Sequence, residues 1–429
     1  MKGKELMRCA LCYFRLQHGE AGDEQKNKED KLMSQQNKPV LVVGGGIGGV
    51  AMALALGRQG RRVQLLEQLE EIAPIGYGVQ MGPNVLPMLD QLGVGQEVRR
   101  AAYLPPEIEL FDAYTAQRLA CVPLQGAAFD AMFPEPYIAI HRVDLHEILL
   151  QACRAFPEIE MVQAATVTGF TESAHGVQAQ CADGKDFEGE ALIAADGLRS
   201  KIRTQLFPDD APRATGYVAH RAIVPFDQAP ASLQSRLGVS MWSGDGFHVI
   251  YYPLRNQSEL NLVAVFRVDP PLASAAGHAE QLQAAVATCQ GEVRDVLNCM
   301  NLERRWAIAD REPLRRWGVG RVTLLGDSAH ATLQSLAQGA GMAVEDVCVL
   351  SRLIERSAGD YASAFSRFQR LRLTRTARVQ LTSRTLWEEY HCGGIAAQVR
   401  NQAWTERSPE DFLHCLHWLW SPVDLAVVA

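Results

Sequence analysis

Two regimes of hydrophobic patterning divide this chain of 429 residues. In the first, short and mostly apolar runs, two of them interrupted once by Gln64 or Thr323, end on glycine or an acid: Val40-Leu41-Val42-Val43, Val63 to Leu66, Ala191 to Ala195 and Val322 to Leu325. Runs of this length predict strands buried on both faces, as in a parallel sheet. In the second regime apolar and polar positions alternate. This occurs in EIELFD (107–112), RLACVPL (118–124), TGYVAHRAIVPF (215–226), VSMWSG (239–244), GFHVIYYPL (246–254) and LNLVAVFRV (260–268). Alternation predicts antiparallel strands with one face on a core. Helical periodicity follows the first apolar run (Met52, Leu54, Ala55, Leu56), runs from Val85 to Leu92 and continues through Val344, Val347 and Leu350. Gly60 and Gly93 are placed to stop the first two of these helices. His141 to Leu145 opens another helix, with Asp144 and Glu147 expected in its first turn, where the dipole favours acids.

The first regime carries the clearest chemistry. Gly44, Gly46 and Gly49, with Ile47 and Gly48 between them, stand in G-x-G-x-x-G spacing directly after a strand. Gly44 permits the tight turn, Gly46 lets backbone approach a pyrophosphate, and Gly49 lets the helix pack closely on the strand. Glu67, at the end of the second strand and 18 residues after Gly49, is placed to hold ribose hydroxyls. Helix amides supply the remaining phosphate contacts. This unit specifies a dinucleotide and leaves FAD and NAD both open. Further on, Asp196-Gly197 and Gly326-Asp327 each follow a buried strand, at the ligand-binding edge of an open sheet. Arg142 stands at a helix mouth, where a guanidinium can meet a phosphate. The glycine-dense loop Ile75–Asn84, containing Gln80, is expected to pass the flavin side of a cofactor. Amides from Gly339 and Ala340 to Met342 open a late helix and can face a negative locus.

Composition narrows the class. Apolar residues make up 47% and charged residues 21%, as in ordinary soluble proteins. A net charge of −7 without a long basic block argues against nucleic acid or anionic membrane as a partner. No apolar run reaches the roughly 20 residues of a membrane span. Ten scattered cysteines read as free thiols in a reducing cytoplasm. Cys9 and Cys12 form a lone C-x-x-C that carries little weight as a metal or redox site, and no metal is expected from the C-terminal histidines. Residues 1–38 are expected to lie outside the fold. Glu20 to Lys31 is a solvated mixed-charge stretch, and Met33 reads as the natural start.

Together the glycine unit ending at Glu67, the Arg142 segment, Asp196-Gly197, and Gly326-Asp327 with His330 and Gly339 resemble the single-component, FAD-dependent aromatic hydroxylases, the class A flavoprotein monooxygenases. The similarity runs from Pro39 to about Val379. It implies an α/β fold: a Rossmann-like FAD-binding domain with a doubly wound sheet, an inserted and mainly antiparallel β substrate domain, and C-terminal helices. The expected division is 39–211 with 308–378 for FAD, 212–307 (with strands from 107–125) for substrate, and 379–429 for the helical end. By the same resemblance the first βαβ unit holds the ADP half of tightly bound FAD. Asp196-Gly197 serves both FAD and nicotinamide nucleotide, and Asp327 meets the ribityl and pyrophosphate region. NADH is a transient donor, so no second Rossmann domain is expected. Gly341 departs from the asparagine that many members carry.

Within the substrate layer, the two-residue period puts His248, Ile250 and Tyr252 on one face. From spacing alone His248 reads more readily as an interior histidine bonded to backbone than as a catalytic one. The strand HVIYYPL, Asp310-Arg311-Glu312-Pro313, Leu333-Gln334 and Trp418-Leu419-Trp420 resemble the branch of the family that hydroxylates 3-hydroxybenzoate para to its hydroxyl, giving gentisate. That resemblance makes His248 and Gln334 active-site residues; Tyr252, on the same face as His248, can hydrogen-bond the substrate's phenol or carboxylate. It implies a small aromatic acid, NADH and O2 as partners, with a flavin hydroperoxide attacked by an activated phenol ring. A base near neutrality suits that activation. The C-terminal Trp- and His-rich segment (Trp387, His391, Trp404, His414, His417, Trp418, Trp420) is expected to cover the site or pack on a second copy in a homodimer. Salicylate 1-monooxygenase or another hydroxybenzoate hydroxylase is the neighbouring alternative. From other classes, an NAD-dependent dehydrogenase and a non-catalytic flavoprotein stay open.

Overall fold

The computed structural model describes residues 38–70, 76–268 and 278–428. The expected N-terminal extension up to Asn37, with Cys9, Cys12 and Met33, therefore lies outside the described residues, as does Ile75. The apolar runs of the first regime form a six-stranded sheet. Its spatial order is Gly318–Val319, Val322–Leu324, Ala191–Ala194, Val40–Val43, Val63–Leu66, Ile159–Val162, all parallel except the short first strand. Val40–Val43 are at most 5% exposed, which is why this strand tolerates no polar position. Helix Ile47–Gly57 packs between helices Arg142–Cys153 and Gly339–Arg356. A three-stranded antiparallel sheet, Val167–Ser173, Gly176–Cys181 and Asp186–Gly189, packs against the parallel strands.

Strand order reverses at Val40–Val43. The chain moves outward to Val63–Leu66 and Ile159–Val162 on one side, then returns to place Ala191–Ala194 and Val322–Leu324 on the other. Such a switch point opens a crevice at the C-terminal ends of the strands. The turns at Gly44, Asp196 and Asp327 all follow strands that end there. The fold is α/β with a Rossmann-like sheet, and the alternating stretches form its second layer. Seven strands run in the order Trp306–Asp310, Arg213–Pro225, Glu259–Arg267, Phe247–Leu254, Val239–Gly244, Glu107–Asp112, Arg118–Pro123. Only the Val239–Gly244 and Glu107–Asp112 pair is parallel.

One face of this larger sheet (Trp242, Val249, Tyr251, Leu260, Leu262, Ala264, Phe266) builds a core with helix Gly291–Asn298. The other face looks toward the crevice of the parallel sheet. A single helix, Tyr361–His391, runs unbroken through residue 379 and ends against the strand that carries His248. Helices Gly394–Thr405 and Pro409–Trp420 then pack on strand Arg118–Pro123. No helix among the described residues is long and apolar enough to cross a membrane.

The helix Gly339–Arg356 is tied to its surroundings by a buried ion cluster. Arg372 donates to Glu345 and Asp346, each at 2.7 Å. Arg375 also holds Glu345, and His330 meets Asp346 at 2.5 Å. Burial alone would push both carboxyls up, yet the guanidiniums and the imidazole hold them below their ordinary values. Asn84 donates to both Glu345 and Gln338, and so joins the cluster to the loop that starts the helix.

Candidate active site

The crevice between the two layers is a cavity of about 420 Å³. Of the residues singled out in the sequence it gathers Gly46, Ile47, Gly48, Gln80, Arg142, His248, Tyr252, Asp327, Gln334, Gly339 and Ala340 along its walls. Four lie behind the wall: Gly44, Gly49, Glu67 and Asp196.

The glycine turn divides its labour by geometry. A Cβ on Gly49 would overlap the Gly44 carbonyl oxygen, and one on Gly44 (φ +104°) would overlap the Ala195 carbonyl. Both glycines are thus required by the protein's own packing. Gly46 is different: nothing lies within 4 Å of a Cβ built there, and its backbone is extended (φ −74°). The space over Gly46 is left for a ligand at a helix N-terminus. His146, buried on the neighbouring helix, braces the turn by donating from Nε2 to the Gly45 carbonyl at 2.6 Å. Glu67 accepts the Gly45 and Leu69 amides at 2.6 and 2.9 Å, which fixes its carboxylate against the turn.

Asp196 caps the helix Lys201–Leu206 through Oδ2, which accepts the Lys201 amide at 2.8 Å. Its Oδ1 is buried without a partner, and burial pushes its pKa up. Across the crevice, Asp327 is exposed and stands 3.9 Å from the position of a Gly339 Cβ. Helix Gly339–Arg356 points its N-terminus here, and its positive dipole end favours negative charge. The Met342 amide bonds the Gln338 carbonyl at 2.8 Å, so the open amides stop at Gly341, one residue short of the sequence expectation. Likewise Glu147 lies beyond the first turn of its helix, and Asp144 alone occupies that turn, paired with Arg255 at 2.6 Å. An orphaned carboxylate oxygen, an unfilled glycine cradle and two helix N-termini fit the ribityl-diphosphate of FAD.

Sheet register organises the opposite wall. Met241 pairs with Ile250, Ile250 with Val263, and Val263 with Arg221, so these four form one rung. All four line the cavity. His248 and Tyr252 flank Ile250 on the same face, about 13 Å apart along the strand. His248 is 3% exposed and keeps its ring upright through an Nδ1 to His391 Nε2 contact of 2.7 Å. Its Nε2 is the nitrogen left for the cavity. Burial, and then the neighbouring His391, lower the His248 pKa well below the usual value, so the imidazole is neutral and a weaker base than the near-neutral one expected from the sequence. Tyr252 is pushed up to about 12 by burial and stays a protonated donor. Gln80 accepts the Tyr137 hydroxyl at 2.7 Å beside it.

Two residues outside the sequence-derived site set complete the arrangement, Arg221 in the wall and His391 behind His248. Arg221 is surrounded by protein, and no carboxylate pairs with it among the described residues. Its contacts are the Tyr77 ring, 5.7 Å away, and the Gln334 Oε1 at 2.9 Å. Desolvation, with some repulsion from Arg142, lowers its pKa. Because a guanidinium only donates, it fixes the Gln334 amide with oxygen inward and leaves the NH2 as a donor for the cavity. His391, the second addition, was visible only as part of a Trp- and His-rich segment.

A family model described as an FAD binding domain matches residues 37–364. The 3-hydroxybenzoate 6-hydroxylase of Polaromonas naphthalenivorans (strain CJ2) is 40% identical over 384 residues, covering 89% of this chain and 95% of that protein. The 3-hydroxybenzoate 6-hydroxylase of Klebsiella oxytoca is 37% identical, covering 89% and 96%. Among solved structures, Klebsiella pneumoniae HpxO complexed with FAD and uric acid superposes with a TM-score of 0.80. It is 24% identical and covers 90% of this chain and 98% of that one.

Proposed function

The chain belongs to the FAD-binding-domain family and is a flavoprotein monooxygenase; from that premise we propose that it hydroxylates 3-hydroxybenzoate para to its hydroxyl, giving gentisate. The observation that carries this reading is the placement of a neutral base and an unmatched cation on one sheet face. His248 stands on one side of Ile250, while Tyr252 and Arg221 stand on the other sides. A benzene ring of about 6 Å with a hydrogen bond of about 2.8 Å at each end roughly spans the strand distance between His248 and Tyr252. The ring would lie over Ile250, Val263 and Met241, with hydroxyl toward His248 and carboxylate toward Arg221 and Tyr252. Salicylate, whose two groups are adjacent, matches this separation less well, and the product panel below separates the two substrates.

FAD, reduced by NADH, supplies with O2 the electrophilic oxygen. Gly46, Ile47, Gly48, Arg142 and Asp327, with the amides of Gly339 and Ala340, would hold it along the crevice, with Glu67 and Asp196 supporting from behind. Residues of the chain do the rest. The substrate's O–H bond breaks and its proton passes to His248 Nε2, leaving a phenolate that pushes electrons to its para carbon. Arg221 neutralises the carboxylate, so that the phenolate is not a second uncompensated anion. The Gln334 amide donates into the cavity and orients the ring. The sheet and the end of helix Tyr361–His391, through Tyr390, exclude water. The free thiols of the described residues suit a cytoplasmic setting, and a homodimer is the assembly we expect.

The test is a product panel. The holoenzyme is incubated with NADH and each of 2-, 3- and 4-hydroxybenzoate, and products are separated by chromatography. Gentisate from the 3-isomer is expected; catechol from the 2-isomer with no gentisate from the 3-isomer would overturn the substrate assignment.

A further inference from the structure

The geometry points to His391 as a positioning residue of the hydroxylation: its Nε2 accepts the Nδ1 proton of His248, which holds His248 with an unprotonated Nε2 toward the cavity. The inference rests on the reading of His248 as the base.

His391 is the last residue of the 31-residue helix Tyr361–His391 and reaches His248 from 143 positions away. Its place is fixed from several sides. The Tyr217 ring lies 4.5 Å from the imidazole at 33°, the Trp387 ring 4.5 Å away at 67°, and its own carbonyl accepts the Gly246 amide at 2.9 Å. It is 4% exposed. At 2.7 Å the two imidazoles share one proton, and only two arrangements exist. Either His248 donates from Nδ1, and its Nε2 is a lone pair facing the substrate, or His391 donates from Nε2, and His248 faces the substrate with an N–H. Only the first arrangement can take a phenol proton. His391 Nδ1 is buried without a hydrogen-bond partner, so the 2.7 Å contact links the tautomers of the two rings, and the chemistry required at His248 Nε2 selects between them. A partner that fixes the second nitrogen of an imidazole decides what the first can do. Here that partner is uncharged, since burial lowers His391 to about 3. The pair therefore adds no anion to a cavity that has to receive one.

In the catalytic step the phenol proton forms a bond to His248 Nε2, while the Nδ1 proton stays in the shared hydrogen bond with His391. No oxidation state changes on either ring.

Two measurements test this. In holoenzyme labelled with 15N-histidine, NMR should show His248 protonated at Nδ1 and bare at Nε2. A proton on Nε2 would overturn the proposal whatever the substrate proves to be. Second, His391→Phe keeps the ring packing and removes the acceptor, while His391→Gln restores an acceptor near the old Nε2. The Phe variant should retain FAD and leave KM for 3-hydroxybenzoate nearly unchanged, with kcat for gentisate lowered by roughly 10². His391→Gln should recover most of that loss. Equal kcat in the wild type and the Phe variant, or equal losses in both variants with FAD retained, would also overturn it. If His391→Phe does not fold, the NMR measurement on the unaltered enzyme decides alone.

Discussion

Replacing Arg221 by Gln should weaken carboxylate binding while leaving the fold as stable as before or more so. The guanidinium is half-buried in the cavity wall, its pKa is lowered by desolvation, and no carboxylate pairs with it among the described residues. A partly desolvated cation without a counter-charge lowers stability until an anion arrives. Hydrogen bonds to a charged group contribute about 1.5–3 kcal/mol, so the loss for 3-hydroxybenzoate should be roughly 10- to 150-fold in Kd. The assay is titration of the oxidised holoenzyme, following the perturbation of flavin absorbance. Parallel titrations with 3-hydroxybenzamide supply the control: the wild type should prefer the carboxylate, and the variant should lose most of that preference. Urea unfolding of the same proteins gives the second arm. An unchanged Kd with the preference for carboxylate intact would refute the assignment of Arg221. So would a loss of affinity equal for acid and amide, because it would mean that the variant had deformed the cavity.

Other predictions follow from the same geometry. His248→Ala should retain FAD but lose gentisate formation by about 10² to 10⁴, read by chromatography; undiminished turnover would remove His248 from the mechanism. Gly46→Ala should leave apoprotein stability within about 0.5 kcal/mol, because a Cβ there meets nothing, while weakening FAD retention measured by fluorescence. Gly49→Ala should instead fail to give folded protein, since its Cβ overlaps the Gly44 carbonyl. Arg372→Met strips one guanidinium from two buried carboxylates and should cost about 3–5 kcal/mol in urea unfolding. The depressed Glu345 and Asp346 stabilise the fold fully above their unfolded pKa of about 4. That contribution is lost as pH falls through their lower folded values, so wild-type stability should drop on acidification below about pH 4 and the Arg372→Met profile should be flatter.

What the sequence discloses is what is local. The strand, glycine turn, helix, strand and acid from Val40 to Glu67 are contiguous, and each glycine is legible from its spacing. His248, Ile250 and Tyr252 share a face because a strand alternates by geometry, whatever lies around it. Arg221 was not legible for the opposite reason. In TGYVAHRAIVPF, His220 and Arg221 are adjacent polar residues on opposite faces, and alternation alone cannot say which face is the cavity. Only the pairing of Arg221 with Val263, and of Val263 with Ile250, decides it. His391 was hidden by distance along the chain and by its place at a helix end among other histidines. The ion cluster around Glu345 was equally obscure: arginines on a long helix read as solvated charge until helix Tyr361–His391 packs against helix Gly339–Arg356.

The central claim is tested most directly by the fate of oxygen in the product. Holoenzyme is supplied with NADH, 3-hydroxybenzoate and 18O2, and the product is identified by chromatography and mass spectrometry. The account predicts gentisate carrying one 18O atom, formed in step with NADH oxidation. NADH oxidation that yields only peroxide, or a dihydroxybenzoate other than gentisate, would contradict it.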